Sequence, residues 1–366
     1  MNSDESCIFD VTDGASEPVV DQGMPGTEDI QGGFEGSRLL KLDGVYHLFT
    51  TERAGLPGRE RSYDRIRTRL AHWSSTDARH WKRLDTLYTA NGVYTEIAED
   101  HPASDRRGSL WSFIPVFNEA EDRWNGFYVA YTCNPHIDPV HCFGRIWRAV
   151  SSKPGRAGIG GPYTDVGVII EPGLSTQAWE GRQGVQFFHP YAINGAWYGW
   201  MGGGFAFEGS ERVRGVRGRW YVGLARAEAL AGPWFRLGTD VNPVVSIHPA
   251  FVENPVVETL PDGTLISLFD GGPGQMGFAN QFGYSLSRDG VRWTPATYLR
   301  LDPVITPWWE TMRTPLGLVA EGDGLYTIVF TAWKPNGRFH PIGMVKVRLS
   351  LDRLAAATRH LVPATA

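Results

Sequence analysis

Asp43-Gly44-Val-Tyr-His-Leu-Phe-Thr-Thr-Glu52 decides how this chain reads. An Asp-Gly pair followed by an aromatic and β-branched run is the mark of a β-hairpin. Glycine supplies the positive φ that such a turn requires. The pattern recurs at Asn125-Gly126, Asn194-Gly195, Asp262-Gly263 and Asp323-Gly324, so the glycines stand 82, 69, 68 and 61 residues apart. Each has an apolar partner segment before it: Gly36–Asp43, Ser112–Asn118, Phe187–Asn194, Asn254–Asp262 and Thr314–Asp323.

A second mark follows the hairpins. Ser75-x-Asp77-x-x-x-Trp81 and Ser287-x-Asp289-x-x-x-Trp293 share one pattern, and Gly161-Pro-Tyr163 and Gly232-Pro-Trp234 take the matching place in two other units. Each unit therefore reads as a hairpin, a strand with small residues, a turn and an aromatic outer strand. Asp77 and Asp289 read as caps of their turns. Five units of four strands predict an all-β chain, a five-bladed β-propeller with antiparallel blades, as a single domain over residues 1–366. The fifth unit lacks its outer mark, and the segment around Cys7-Ile-Phe-Asp-Val11 is expected to close that blade. Helical patterning is confined to Leu351–Leu361.

Of the 366 residues, 42% are hydrophobic and 20% charged, which fits a globular chain with a substantial core. A net charge of -5 gives no expectation of nucleic acid or an anionic membrane as partner. The start, Met1 to Asp13, is acidic without an apolar run, and no stretch reaches the roughly 20 apolar residues of a membrane span. Cys7, Cys133 and Cys142 lack metal-site spacing. A reduced, cytoplasmic chain is the expectation. Oligomeric state is not legible.

In a propeller the first strand of each blade lines the central channel. Glu35 lies nine residues before its turn glycine, Glu253 ten before its own and Arg313 eleven. Burying charge costs several kcal/mol unless it is paired, so three charged positions on one axis point to a polar site. Glycosidic cleavage needs such a site: one carboxyl protonates the leaving oxygen, and a second activates water or attacks carbon. Glu35 and Glu253 are the candidate pair, with Glu310 as a third catalytic carboxylate. Asp29 is a further acid placed to orient substrate, and Asp270 a weaker candidate. Arg313, His189 and Gln186 are candidates for sugar hydroxyls, and Trp111, Trp308 and Trp309 for stacking on a sugar ring. Against these stand plainer roles: ion-paired rim acids, a core histidine bonded to backbone, and packing tryptophans.

The run Phe34-Glu-Gly-Ser-Arg-Leu-Leu-Lys-Leu-Asp-Gly44, with the later Gly-Pro-Trp and Ser-x-Asp-Gly-x-x-Trp marks, resembles the five-bladed propeller glycoside hydrolases of families 43, 32, 62, 68, 117 and 130. The resemblance covers roughly residues 30–350 as architecture. It implies hydrolysis of a small oligosaccharide or glycoside, by inversion. If Glu35 takes the acid's place, relative position around the ring puts the base on blade four at Glu253 and the modulator on blade five near Glu310. The reverse assignment puts the base near Asp105. The Asp-Pro opening of family 43 and the Asn-Asp-Pro-Asn of family 32 are both missing. A family 130-like phosphorylase would draw on Arg59, Arg61, Arg313, His189 and His340. Some relatives hold an axial calcium, which no ligand cluster here demands; no cofactor is expected. The rival of another class is a non-catalytic carbohydrate-binding propeller.

Overall fold

The computed structural model describes residues 7–55, 66–92, 105–134, 138–206, 219–247, 251–271, 281–301, 308–335, 337 and 339–361. It opens with β1 (Phe9–Gly14). Blade one is β2 (Ile30–Leu42), β3 (Val45–Gly55), β4 (Ile66–Ser75) and β5 (Lys82–Thr89). Blade two is β6 (Ser109–Asn118), β7 (Arg123–Asn134), β8 (Asp138–Ser151) and β9 (Tyr163–Ile170). Blade three is β10 (Val185–Ile193), β11 (Ala196–Ala206), β12 (Arg219–Ala227) and β13 (Phe235–Arg236). Blade four is β14 (Val252–Thr259), β15 (Leu265–Gly271), β16 (Gln281–Ser287) and β17 (Thr297–Arg300). Blade five is β18 (Thr311–Gly322), β19 (Leu325–Trp333) and β20 (Ile342–Leu349), with β1 as its outer strand. All pairings are antiparallel, and the inner strands β2, β6, β10, β14 and β18 contact one another in ring order. The chain is thus a five-bladed β-propeller. A short helix, α1 (Leu351–Thr358), follows, its first turn capped by Ser350, which accepts from Arg353 N.

β1 pairs with β20 from Phe9↔Leu349 to Gly14↔Val345, so the N-terminal strand completes the last blade. Five hydrophobic clusters fill the five wedges between neighbouring blades. Because both faces of a blade are covered, a middle strand such as β19 is buried almost continuously instead of alternating.

Three of the five expected turns are two-residue turns with both residues at positive φ: Asp43-Gly44, Asn194-Gly195 and Asp323-Gly324. Asp262-Gly263 belongs to a longer turn in which Leu260 and Thr264 bond backbone to backbone. Asn125-Gly126 is not a turn, which corrects the sequence reading. The second hairpin turns between Asn118 and Arg123, and Gly126 lies inside β7 opposite Pro115. Its glycine serves packing, since a Cβ there would stand 2.1 Å from the Phe113 ring.

Candidate active site

Every inner strand carries a register shift near its start. The shifts fall between Glu35 and Arg38, Trp111 and Ile114, Val185 and Phe188, Glu253 and Val256, and Met312 and Thr314. These bulges align the blades: Glu35, Trp111, Val185, Glu253 and Met312 are equivalent, and Gly36, Ser112, Gln186, Asn254 and Arg313 follow them. Bulges re-aim side chains, and they recur beside active sites. Ser112 and Asn254 take φ of 55° and 50° inside theirs. A Cβ on Gly36 would lie 3.1 Å from Ser112 Oγ and 3.3 Å from Asn254 Oδ1. Blades one and four are not neighbours in the ring, so this approach is across the axis. It brings the residues next to Glu35 and Glu253 together at one level.

Glu35 is buried, its Oε1 3.7 Å from Arg53 Nη1 and 3.6 Å from His340 Nδ1. Arg53 reaches in from the end of β3 and also donates to Gly32 O. His340 comes from the loop between β19 and β20. Its N–H donates to Gly32 O at 3.3 Å, and Phe34 N–H donates to its carbonyl at 2.9 Å. Gly33 makes this approach possible: it holds φ +81°, and a Cβ there would stand 2.3 Å from His340 N. The imidazole is stacked on Trp333, with centroids 4.7 Å apart.

Glu253 is equally buried and stands directly opposite Asp270 on β15, itself buried. Directly opposed residues on antiparallel strands share one face of the sheet, so the two side chains leave the blade on the same side.

Beyond the bulges, Arg38 spans the axis. Its Nη1 donates to His189 Nε2 at 3.1 Å and its Nη2 to Glu258 Oε1 at 3.3 Å, tying blade one to blades three and four. His189 Nε2 also accepts from Val257 N–H at 3.2 Å, which places the ring proton on Nδ1. Burial, then the charge of Arg38, holds the His189 pKa well below the usual imidazole range. Burial raises the Glu258 carboxyl while Arg38 opposes the shift. Glu258 nonetheless keeps 29% of its side chain accessible, as a group facing a narrow channel would.

The structure brings Glu35 and Glu253 to equivalent places and leaves other sequence candidates elsewhere. Glu310 is exposed at the entrance to β18, two residues before the position that matches Glu35, its N–H bonded to Trp333 O. Asp29 is turned onto blade one, where Arg69 grips its carboxylate, chiefly by hydrogen bonding, and lowers its pKa. Arg69 also pairs with Glu52, which is fully buried. Trp111 occupies the bulge position of blade two but is packed in the wedge with blade three, its Nε1 on Ser109 Oγ. Trp308 and Trp309 meet edge to face and pack against Phe330 between blades four and five. His189 is a core histidine, and Gln186 is buried with its amide donating to Gly203 O. Asp105 folds back on its own loop, accepting from Arg107 N–H and Asn91. Arg313 lies in the bulge of β18 and its side chain falls outside the described residues, as do Arg59 and Arg61. Asp77 and Asp289 cap their turns, each accepting two backbone N–H bonds. Among the described residues no group of three or more His, Cys, Asp or Glu is placed to hold a metal ion.

Arg53, Trp333 and Arg38 escaped the sequence reading. Trp333 and Arg53 end second strands, and nothing local marks them. Only the pairing of the loop before β20 with Gly33 shows that His340 faces Glu35.

No protein-family model matches the chain. No curated protein matches it either. Solved structures match along nearly its whole length. One described as a glycoside hydrolase superposes with a TM-score of 0.63 at 11% identity, over 93% of this chain and 92% of that one. A family 117 glycoside hydrolase, Zg3597 from the marine bacterium Zobellia galactanivorans, gives 0.58 at 14%, over 94% and 91%. A family 43 enzyme from Xanthomonas citri, solved in complex with xylotriose, gives 0.54 at 14%, over 93% and 92%. At such identities the likeness establishes a shared fold, the five-bladed propeller of these glycoside hydrolases.

Proposed function

We propose that the chain is a glycoside hydrolase acting on a small oligosaccharide or glycoside, with Glu35 and Glu253 as its catalytic pair. One observation carries this reading: two buried carboxylates at equivalent bulges, on blades that meet across the axis. Glu35 has a guanidinium and an imidazole against it, which suits the carboxylate that works charged, as base toward water. Glu253, opposite Asp270 on the neighbouring strand, takes the other part, as acid toward the leaving oxygen. Base and acid on opposite sides of an axis fit inversion, where the pair stand roughly 6.5–9.5 Å apart with water between them. Trp333, stacked on the His340 that contacts Glu35, is a candidate for a sugar platform, whereas Trp111 and Trp308 are packed between blades.

The test is turnover of aryl glycosides and short oligosaccharides, with the product anomer followed by NMR. Inverted product, formed without phosphate, is expected. Turnover that requires phosphate would replace hydrolysis by phosphorolysis, with Arg53 and His340 as anion ligands. Binding of sugars with no turnover of any would leave a carbohydrate-binding propeller.

A further inference from the structure

A cavity of about 570 Å³ lies on the flank of blade one, away from the axis. The segment between β1 and β2 arches over it. Its lining includes Trp81, Arg79, His80, Glu17, Pro18 and Met24. That volume is in the range of small-molecule sites, roughly 300–1,000 Å³.

The cavity is a departure from the repeat. Trp81 and Trp293 end the same Ser-x-Asp turn, with the same bonds. Trp81 Nε1 donates to Ala78 O at 3.0 Å, and Trp293 Nε1 to Gly290 O at 3.2 Å. Trp293 is buried under Tyr191 and Trp200 of the preceding blade, 6.2 and 5.2 Å away between centroids. Tyr191 pairs with the third residue after its turn glycine, and Val319 does so in blade five. Trp200 is the fifth residue after Gly195, and Val329 is the fifth after Gly324. Two valines thus stand on blade five where blade three has two large aromatics. Trp81 is left half-buried, and the arching segment only partly fills the gap.

The rim is polar and already balanced. Arg79 pairs with Asp13 at 2.7 Å and His80 with Asp77 at 2.7 Å. With Glu17 also present, nothing here favours an anion. An indole with prolines and hydrogen-bonding groups at the edge suits a flat, neutral ligand with polar margins. We propose that this cavity is a second carbohydrate-binding site, taking one neutral sugar unit of an oligosaccharide. The choice of sugar rests on the carbohydrate reading of the axial site.

Calorimetric titration of the Glu253→Gln chain with xylan-, arabinan- and galactan-derived hexasaccharides tests it. Two binding events are expected with at least one of them. Trp81→Ala, and Ser16→Trp, which plugs the cavity from an exposed lining position, should each weaken the second event at least about tenfold. In the otherwise native chain both should leave turnover of a small aryl glycoside unchanged. A single binding event that neither Trp81→Ala nor Ser16→Trp weakens, or a second one that survives Ser16→Trp, overturns the proposal, as does a proline-rich peptide occupying the cavity when no sugar does. If Trp81→Ala fails to fold, Ser16→Trp decides alone. Failure of the axial reading looks different: no glycoside is cleaved, yet Trp81-dependent binding persists.

Discussion

Blades one and four use the same backbone device as blades two and three and fill it differently. All four inner strands bulge at the same place, yet the equivalent residues are Glu35 and Glu253 in one pair and Trp111 and Val185 in the other. Trp111 and Val185 complete the wedge between their blades, where apolar burial is their contribution to stability. Glu35 and Glu253 gain nothing from burial; Glu35 has Arg53 and His340 against it, and Glu253 stands opposite Asp270. The fold repeats the bulge, and only some blades leave a charge in it.

The largest expected effect breaks this contrast at its acidic half. Glu35→Gln and Glu253→Gln should each lower kcat by about 10²–10⁴, the usual share of a general acid or base. Trp111→Phe should change it only a few-fold while lowering the melting temperature. If the tryptophan change matches the carboxylate changes in kcat, the division between blades is wrong.

Next comes the support of Glu35. Gly33→Ala sets a Cβ against His340 N at a positive φ, which should cost about 1–3 kcal/mol of stability and displace the imidazole. Thermal unfolding and turnover together read it: turnover should fall more than for Trp111→Phe at equal loss of stability.

A histidine away from the axis sharpens the same contrast. His72 is packed on Phe49 between blades one and two, and burial, then the nearby His47, lowers its pKa to about 3. The folded chain therefore leaves His72 neutral while the unfolded chain protonates it below its ordinary value of 6.5. Stability is lost as pH falls from about 6.5 toward 3. His72→Phe should reduce the drop in melting temperature between about pH 7 and about pH 4.5, with kcat little changed. An unchanged acid limb would show that other groups carry it.

The smallest effect is expected at Glu310. Exposed and outside the bulge, Glu310→Gln should alter stability by no more than about 0.5 kcal/mol and kcat by less than about threefold. A loss near that of Glu35→Gln would restore Glu310 to the catalytic set.

The propeller was legible because its signals are local. Asp43-Gly44, Asn194-Gly195 and Asp323-Gly324 form the two-residue turns that their residue types favour. Asn125-Gly126 misled, because its glycine answers to the Phe113 ring on the partner strand and not to its own φ. Glu35 and Glu253 stood out as charge on inner strands, but their offsets of nine and ten from the turn glycines differ because the turns differ in length. The bulges, not the turns, make them equivalent.

The sequence by itself determined five hairpin-led units, the residue types of four of their turns and the two blades that carry an inner carboxylate. Alternation, turn chemistry and charge are properties of a few adjacent residues. Tertiary structure decided what surrounds those carboxylates. His340 lies 305 residues beyond Glu35 along the chain and 3.6 Å from it in space, and Arg38 meets His189 and Glu258 only once the ring has closed. No local signal encodes such meetings, since they follow from the closing of five wedges around one axis.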